Sequence, residues 1–176
     1  MTAEQLRHLL RAAASITGER EFVVIGSQAI LGSHPDAPRS LRKSIESDTY
    51  PLHHPEKSIE VDGAIGELSP FHQQFGYYAH GVHPETATLP LGWKNRLVKF
   101  EVGDDAGTIG LCLEPHDLAF SKLAAGREKD IAFIRELLKY RLINQGKLKR
   151  LIENEEQEDL KSNLLDSWTI TLREKP

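Results

Sequence analysis

The stretch Phe22-Val23-Val24-Ile25-Gly26-Ser27 decides how the fold of this chain is predicted. Its four apolar residues, three of them β-branched, predict a short buried strand over residues 22–25. The glycine and serine end this strand, and residues 28–31 have the composition of a first helical turn. Glycine lets the backbone approach a ligand closely, and a serine hydroxyl beside the N–H groups of a helix start can hold phosphate oxygens. The same pattern also fits an ordinary tight turn.

A pair of acids follows on a second predicted strand, residues 44–50, which ends at Pro51. Glu46 and Asp48 are two residues apart, so on a strand their side chains point to the same face. Neighbouring carboxylates repel each other, and a divalent cation bound to both relieves that repulsion. Because Mg²⁺ binds proteins through one or two carboxylates plus substrate phosphates, the pair predicts a site for Mg²⁺ or Mn²⁺. Two solvated acids on an exposed strand edge would give the same pattern.

A third segment, Asp117 to Asp130, has the sequence DLAFSKLAAGREKD and predicts two helical runs with a break at Gly126. On these helices, Lys122 can place an ammonium group near phosphate, where it would stabilise developing negative charge. Asp130 can accept a hydrogen bond, hold Lys122 or Arg127, or bind a metal ion. Ordinary ion pairing on a helix surface accounts for the same residues.

The remaining periodicity predicts helices and strands around these segments. Helices are predicted over residues 3–17, 58–67, 117–125, 128–138 and 147–159. Strands are predicted over residues 96–102 and 108–113, joined by a hairpin turn at 103–107, and over residues 168–172. Residues 71–90 show no clean period, which is typical of a functional loop or of an element that the pattern does not reveal.

Composition narrows the class of protein. The chain has 176 residues and a formal net charge of -4, so it is not a generally basic nucleic-acid binder. Between Asp117 and Arg150, nine Lys or Arg stand against four acids, which suits either a polyanion such as triphosphate or RNA, or a solvated helical face. The single cysteine, Cys112, and the lack of a long apolar run predict a cytoplasmic protein without a membrane span.

Two further groups of side chains have open interpretations. Arg39, Arg42 and Lys43 precede the acidic strand, where they would either guide RNA or nucleotide or form a solvated loop. Tyr77 and Tyr78 would either stack on a base or pack in the core. The eight histidines lack a compact zinc-binding spacing, so no structural zinc site is predicted.

The order of these motifs resembles a known family. Gly26-Ser27, then the Glu46-x-Asp48 strand, then the helical block up to Asp130 is similar to the DUF6036 and AbiEii/MenT-type branch of the DNA polymerase β-like nucleotidyltransferase superfamily. The resemblance covers about residues 20–140, and members of that branch often act as toxins of bacterial toxin–antitoxin or phage-abortive systems. It implies an α/β (α+β) fold with a small mixed sheet flanked by helices. Residues 1–113 would form the nucleotidyltransferase-like core, with a helical part in residues 114–176 packed on it as a single compact unit.

The resemblance also assigns roles to individual residues. Gly26, Ser27, Lys122 and Arg127 would bind the nucleotide, Glu46 and Asp48 would bind Mg²⁺, and Asp48, Lys122 and Asp130 would be the catalytic residues. The chain departs from the family pattern at Glu46, where an aspartate is usual. The family's third acid usually lies on a later strand, and Glu101 is the natural candidate for this metal ligand.

The implied reaction is Mg²⁺-dependent transfer of a nucleoside monophosphate from a nucleoside triphosphate to an acceptor hydroxyl. The implied partners are an RNA acceptor, such as a tRNA 3′ end, and an antitoxin protein. Two other interpretations stay open. One is a catalytically inactive nucleotide- or partner-binding module with the same fold, which the departure at Glu46 favours. The other is a metal-dependent phosphoesterase that uses the same metal site.

Overall fold

The computed structural model describes residues 1–173, and its strands form one mixed sheet over that range. The strands are β1 (Glu21–Ile25), β2 (Glu46–Pro51), β3 (Tyr78–Gly81), β4 (Val98–Glu101) and β5 (Ile109–Cys112). Their spatial order is β3-β2-β1-β5-β4. The predicted small mixed sheet is therefore confirmed, and β1, which contains the Phe22–Ile25 run, lies at its centre.

The register of the sheet determines which residues meet at each end. β1 is antiparallel to β2, with Ile25 opposite Asp48, and parallel to β5, with Val24 opposite Cys112. β2 and β3 are parallel, and β4 pairs with β5 in the predicted antiparallel hairpin. Because β1 ends where β2 begins, the turn that follows Ile25 lies beside the start of the acidic strand.

Helices flank the sheet in the first part of the chain and make up its C-terminal part. They are α1 (Ala3–Thr17), α2 (Ile30–Ser33), α3 (Ser58–Ile65), α4 (Pro70–Phe75), α5 (Pro115–Ala125), α6 (Glu128–Lys139), α7 (Gln145–Glu153) and α8 (Glu158–Arg173). The first helix illustrates why the sequence forms them. Thr2 and Gln5 make a reciprocal capping box at its start, and Gly18 closes it in the left-handed conformation.

The chain divides into two compact units. The first comprises Met1–Ala87 and Leu97–Leu113 and contains the whole sheet with α1 to α4. The second comprises Thr88–Arg96 and the chain from Glu114 onward, and contains α5 to α8. Each unit has its own buried core. That of the first includes the fully buried Phe22, whose burial contributes about 1.5–3 kcal/mol, and that of the second includes Phe120.

Three predictions of secondary structure need correction. Residues 71–90, which showed no period, contain most of α4 and all of β3, two elements too short for periodicity to reveal. The predicted helix over 147–159 is divided between α7 and α8. The predicted terminal strand over 168–172 is wrong, because these residues lie in α8. There Leu164, Trp168 and Thr171 recur at helical spacing and are buried. No helix within residues 1–173 is long and apolar enough to cross a membrane.

Candidate active site

The turn after β1 adopts a backbone conformation that only glycine accommodates well. Gly26 has φ 68° and ψ -169°, in a region that costs other residues of the order of 1–3 kcal/mol. A Cβ atom at this position would lie 2.1 Å from Oδ2 of Asp48. The glycine therefore serves a specific purpose: it lets the Asp48 carboxylate pack directly against the backbone of the turn. Ser27 follows at once and begins a 3₁₀ turn, Ser27–Ala29, that continues into α2.

The two acids of β2 share one face of the sheet. Glu46 and Asp48 are partly exposed, while Ser47 and Thr49, which alternate with them, are buried. The hydroxyl of Thr49 donates a 2.8 Å hydrogen bond to the carbonyl oxygen of Val23 on β1, which helps to fix the register of the strand. The alternation thus presents both carboxylates to solvent at the end of β1 where the Gly26 turn lies.

The neighbouring strand β3 supplies a partner to each acid. In the parallel register, Tyr78 lies opposite Glu46 and His80 lies opposite Asp48. The Tyr78 hydroxyl donates to Oε2 of Glu46 at 2.9 Å, and Nδ1 of His80 donates to Oδ1 of Asp48 at 3.0 Å. Burial, with the hydrogen bond to Glu46, raises the pKa of Tyr78 to about 12, so the phenol remains a donor at neutral pH.

Tyr78 packs in the core, which is one of the two interpretations open for it, and its hydroxyl also donates to Glu46. The contacts of Tyr78 and His80 with the two acids are not predicted from the sequence. The signal was present as two polar residues spaced by two, Tyr78-Ala79-His80, which matches the spacing of Glu46 and Asp48. Its meaning depends on the pairing of β3 with β2, which is a non-local contact.

The donor set around Glu46 and Asp48 fits a magnesium ion better than a metal held entirely by protein. Within residues 1–173, no group of three or more His, Cys, Asp or Glu side chains could hold a metal ion together. Two carboxylates on one face nevertheless match the coordination of Mg²⁺, which completes its shell with substrate phosphates and water. Glu46 and Asp48 are the residues that would hold it.

Glu101 does not join this pair, and the expectation that it is a third metal ligand is corrected. It lies at the end of β4 opposite Ile109, which in turn lies opposite Glu21 at the start of β1. Asp48 lies opposite Ile25, four residues further along β1, which is about 13 Å in a strand. The Glu101 carboxylate is exposed and pairs with Lys99 at 2.7 Å.

The predicted cationic residues belong to the second unit, where they surround a buried acid. Asp130 on α6 is 1% exposed. Its Oδ1 accepts a 3.0 Å hydrogen bond from Nζ of Lys122 on α5, and its Oδ2 accepts one of 2.5 Å from Nε of Arg127. Although burial raises the pKa of Asp130, the hydrogen bonds and charges of Arg127 and Lys122 outweigh it and hold that pKa below its ordinary value.

Lys122, Arg127 and Asp130 differ in how far they are exposed to solvent. The Lys122 ammonium is nearly buried and lies 4.5 Å over the ring of Phe133. Arg127 has a side chain that is 61% exposed and can reach a ligand from the surface. Asp130 lies beneath both cations. In this structure Asp130 contacts both Lys122 and Arg127, which is one of the roles that the sequence leaves open for it.

Two further polar contacts shape the start of α5. Arg96 pairs with the fully buried Asp117 through two nitrogens, at 2.8 and 2.9 Å. Glu114, which caps α5, accepts hydrogen bonds from Nδ1 of His116 at 2.7 Å and from Nζ of Lys147 at 2.9 Å. Burial raises the pKa of Glu114, but these hydrogen bonds outweigh it and place that pKa at about 2. These pairs fix the helix that carries Lys122.

A five-stranded mixed sheet whose central strand ends in a glycine–serine turn beside paired carboxylates is the arrangement of a nucleotidyltransferase-like domain. The family model described as "Nucleotidyltransferase of unknown function (DUF6036)" matches residues 4–171, and the chain belongs to this family. No curated protein and no solved structure matches the chain. The resemblance to the nucleotidyltransferase superfamily is thereby confirmed, and the matched range includes both the acidic strand and the Lys122–Asp130 block.

Proposed function

We propose that this protein transfers a nucleoside monophosphate from a nucleoside triphosphate to an acceptor hydroxyl, with Mg²⁺ as the cofactor. The observation that carries the proposal is the contact between Gly26 and Asp48. A turn that admits only glycine is packed against a carboxylate, and a second carboxylate, Glu46, lies on the same face of β2. Two neighbouring carboxylates repel each other, and a divalent cation bound to both, together with phosphates, would relieve that repulsion.

In the proposed reaction, an acceptor oxygen forms a bond to the α-phosphorus of the triphosphate. The bond from that phosphorus to the bridging oxygen breaks, pyrophosphate leaves, and the acceptor proton passes to solvent. A Mg²⁺ ion held by Glu46 and Asp48 would neutralise charge on the phosphate oxygens and orient them. The backbone at Gly26 and the Ser27 hydroxyl would bind phosphate oxygens next to these acids.

The partners on β3 support this role because they fix the acids before any ligand binds. Tyr78 donates to Oε2 of Glu46 and His80 donates to Oδ1 of Asp48, so each acid is held by a side chain of β3. Carboxylates held in place need little rearrangement when a cation and phosphates arrive. Tyr78 and His80 are therefore proposed as positioning residues.

Lys122 and Arg127 are proposed to bind phosphate, with Asp130 as the residue that positions them. Arginine presents a planar set of donors suited to phosphate, and lysine supplies a point charge. Asp130 is buried and both of its oxygens are engaged, so its proposed effect on the reaction is indirect.

The finer parts of the proposal rest on the resemblance alone. They are an RNA acceptor such as a tRNA 3′ end, and an antitoxin protein as partner. A second candidate function is an inactive nucleotide-binding module. It is favoured by a specific observation: within residues 1–173, no group of three or more His, Cys, Asp or Glu side chains could hold a metal ion together.

The test uses α-³²P-labelled nucleoside triphosphates, each with Mg²⁺ and total RNA, and compares the protein with two variants. Asp48→Asn removes one proposed metal ligand, and Glu101→Gln is the matched control because this exposed acid lies at the other end of the sheet. The proposal expects labelled RNA and pyrophosphate from the protein and the control, with neither from Asp48→Asn.

The other outcomes either contradict the transferase or indicate a different function. Label that appears equally with Asp48→Asn contradicts the transferase. Binding of nucleotide without pyrophosphate release supports the inactive module. Release of inorganic phosphate or mononucleotide, with no labelled acceptor, indicates a phosphoesterase.

A further inference from the structure

A basic cavity lies in the first unit, on the loop that leads into the acidic strand. It has a volume of about 580 Å³, and its lining includes Arg39, Ser40, Arg42 and Lys43. Met1, Thr2 and Gln5 complete the lining, so no carboxylate contributes to it. The chain has a net charge of -4, whereas this cavity is lined by three cationic side chains and no acid. The cavity is therefore a local region of positive charge.

Two polar atoms of this loop are buried without a hydrogen-bond partner in the described part of the chain. They are Nε of Arg42 and Oγ of Ser40. A buried guanidinium N–H that donates to nothing is costly, and such groups in a native fold call for a ligand or another specific cause. Both belong to residues that line the cavity, and both are donors of the kind that an oxyanion accepts from.

The loop is tied to the candidate active site. The carbonyl oxygen of Ser44 accepts a 3.1 Å hydrogen bond from Nε2 of Gln28, the residue that follows Ser27. Glu46 comes two residues after Ser44. Since Glu46 comes four residues after Arg42, their backbones are at most about 14 Å apart. A group bound in the cavity would lie near the acid pair.

We propose that this cavity is a second phosphate-binding site, separate from the Gly26–Ser27 turn, which binds the phosphate of a nucleotide unit. The ligand class follows from three features: three cations, an unpartnered guanidinium N–H and a hydroxyl. The volume suits more than a bare phosphate ion, because ligand sites of this size hold molecules with many atoms. The nucleotide unit is either free or part of a polynucleotide strand.

The test measures binding in EDTA, so that the acid pair carries no cation and turnover is absent. Three probes distinguish the source of the phosphate: tripolyphosphate, ATP and a fluorescein-labelled 12-nucleotide RNA. The variants are Arg42→Gln and the pair Arg39→Gln/Lys43→Gln, and the latter two residues are exposed. The control pair Arg20→Gln/Lys99→Gln removes the same charge from exposed positions outside the cavity.

Arg42→Gln is expected to weaken binding of at least one probe about tenfold, because a charge-assisted hydrogen bond is lost. If the probe is RNA, the slope of log affinity against log salt falls by about 0.7 for each phosphate contact removed. Loss confined to RNA assigns the cavity to a polynucleotide strand, and loss of ATP and tripolyphosphate assigns it to a free nucleotide. Unchanged binding in both variants, or an equal loss in the control pair, overturns the proposal.

The assignment of this cavity as a phosphate site does not depend on the proposed function. Only its part in nucleotidyl transfer rests on that function. If the loop variants bind RNA or nucleotide poorly while no transfer is ever detected, the phosphate-binding site is supported and the transferase activity is refuted. If transfer depends on Asp48 but the loop variants bind all three probes normally, the transferase activity is supported and the phosphate-binding site is refuted.

Discussion

Gly26 and Asp48 are in contact so close that no side chain fits between them. A Cβ atom at Gly26 would lie 2.1 Å from Oδ2 and 3.1 Å from Cγ of the aspartate. The antiparallel pairing of Ile25 with Asp48 creates this contact, because it brings the end of β1 beside the acidic strand. The turn that would bind phosphate and the acid that would bind metal are therefore parts of one local structure.

Gly26→Ala should lower both stability and activity. An alanine at this position is strained by the positive φ and displaces the Asp48 carboxylate. The free energy of unfolding should therefore fall by about 2 kcal/mol. Urea denaturation measures the first effect, and nucleotidyl transfer measures the second. Gly63→Ala is the control, because Gly63 lies in α3 with nothing within 4 Å of its added Cβ. That variant should gain up to about 1 kcal/mol. Equal stability of the two variants would contradict the role of the turn.

Tyr78→Phe should raise the Mg²⁺ concentration needed for transfer, since Glu46 loses the donor that fixes one of its oxygens. The expected loss of stability is only about 1 kcal/mol, because a single hydrogen bond is removed. Tyr77→Phe is a matched control. Its hydroxyl is 2.6 Å from Nδ1 of His8, so it loses a contact of the same kind without affecting an acid. The idea is wrong if the two variants show the same dependence on Mg²⁺.

Asp130→Asn should destabilise the protein by about 3–5 kcal/mol, because the nearly buried Lys122 ammonium would lose its counterion. Arg127→Gln should cost about 1 kcal/mol or less, since that side chain is mostly exposed. Thermal or urea unfolding gives both values. Adding Lys122→Met to Asp130→Asn should recover part of the loss by removing the nearly buried charge. Equal destabilisation by the two single variants would refute the buried ion pair.

Acid should weaken the protein partly through Glu114. Its pKa is about 2 in the folded protein and about 4.3 in an unfolded chain. A depressed carboxylate pKa stabilises the fold above about pH 4.3, and this contribution disappears as the pH falls through about 2. The difference in unfolding free energy between the protein and Glu114→Gln should thus be at most about 3 kcal/mol at pH 6 and should vanish near pH 2. The exposed Glu158→Gln should show no such trend, and a difference that grows with acid would contradict the assignment.

The sequence was most informative where chemistry and periodicity coincide in a short stretch. The β1 run, the Gly26 turn and the alternation of Glu46 with Asp48 are local patterns, and local geometry suffices to predict them. The order of the sheet is not local. Nothing in the sequence around Glu101 shows that β4 lies beyond β5 and ends beside Ile109, so its distance from the acid pair could not be predicted.

The errors near the C-terminus and in β3 have different causes. In the stretch Trp168–Leu172, apolar residues alternate with threonines, a pattern typical of a strand. The stretch is nevertheless helical, because α8 buries Leu164 and Trp168 on one face. Tertiary packing therefore overrides the local preference. β3 has four residues, too few to show a period, and its role depends on its neighbour. Only pairing with β2 turns Tyr78 and His80 into partners of the acids.

The contact between Gly26 and Asp48 also limits how this family can vary over evolutionary time. A residue larger than glycine at position 26 fits only if residue 48 loses its carboxylate or moves. Neither position can therefore change freely while the other stays the same. Related sequences that have lost the glycine should have lost the acid too, and such pairs of changes would mark members that kept the fold after giving up catalysis.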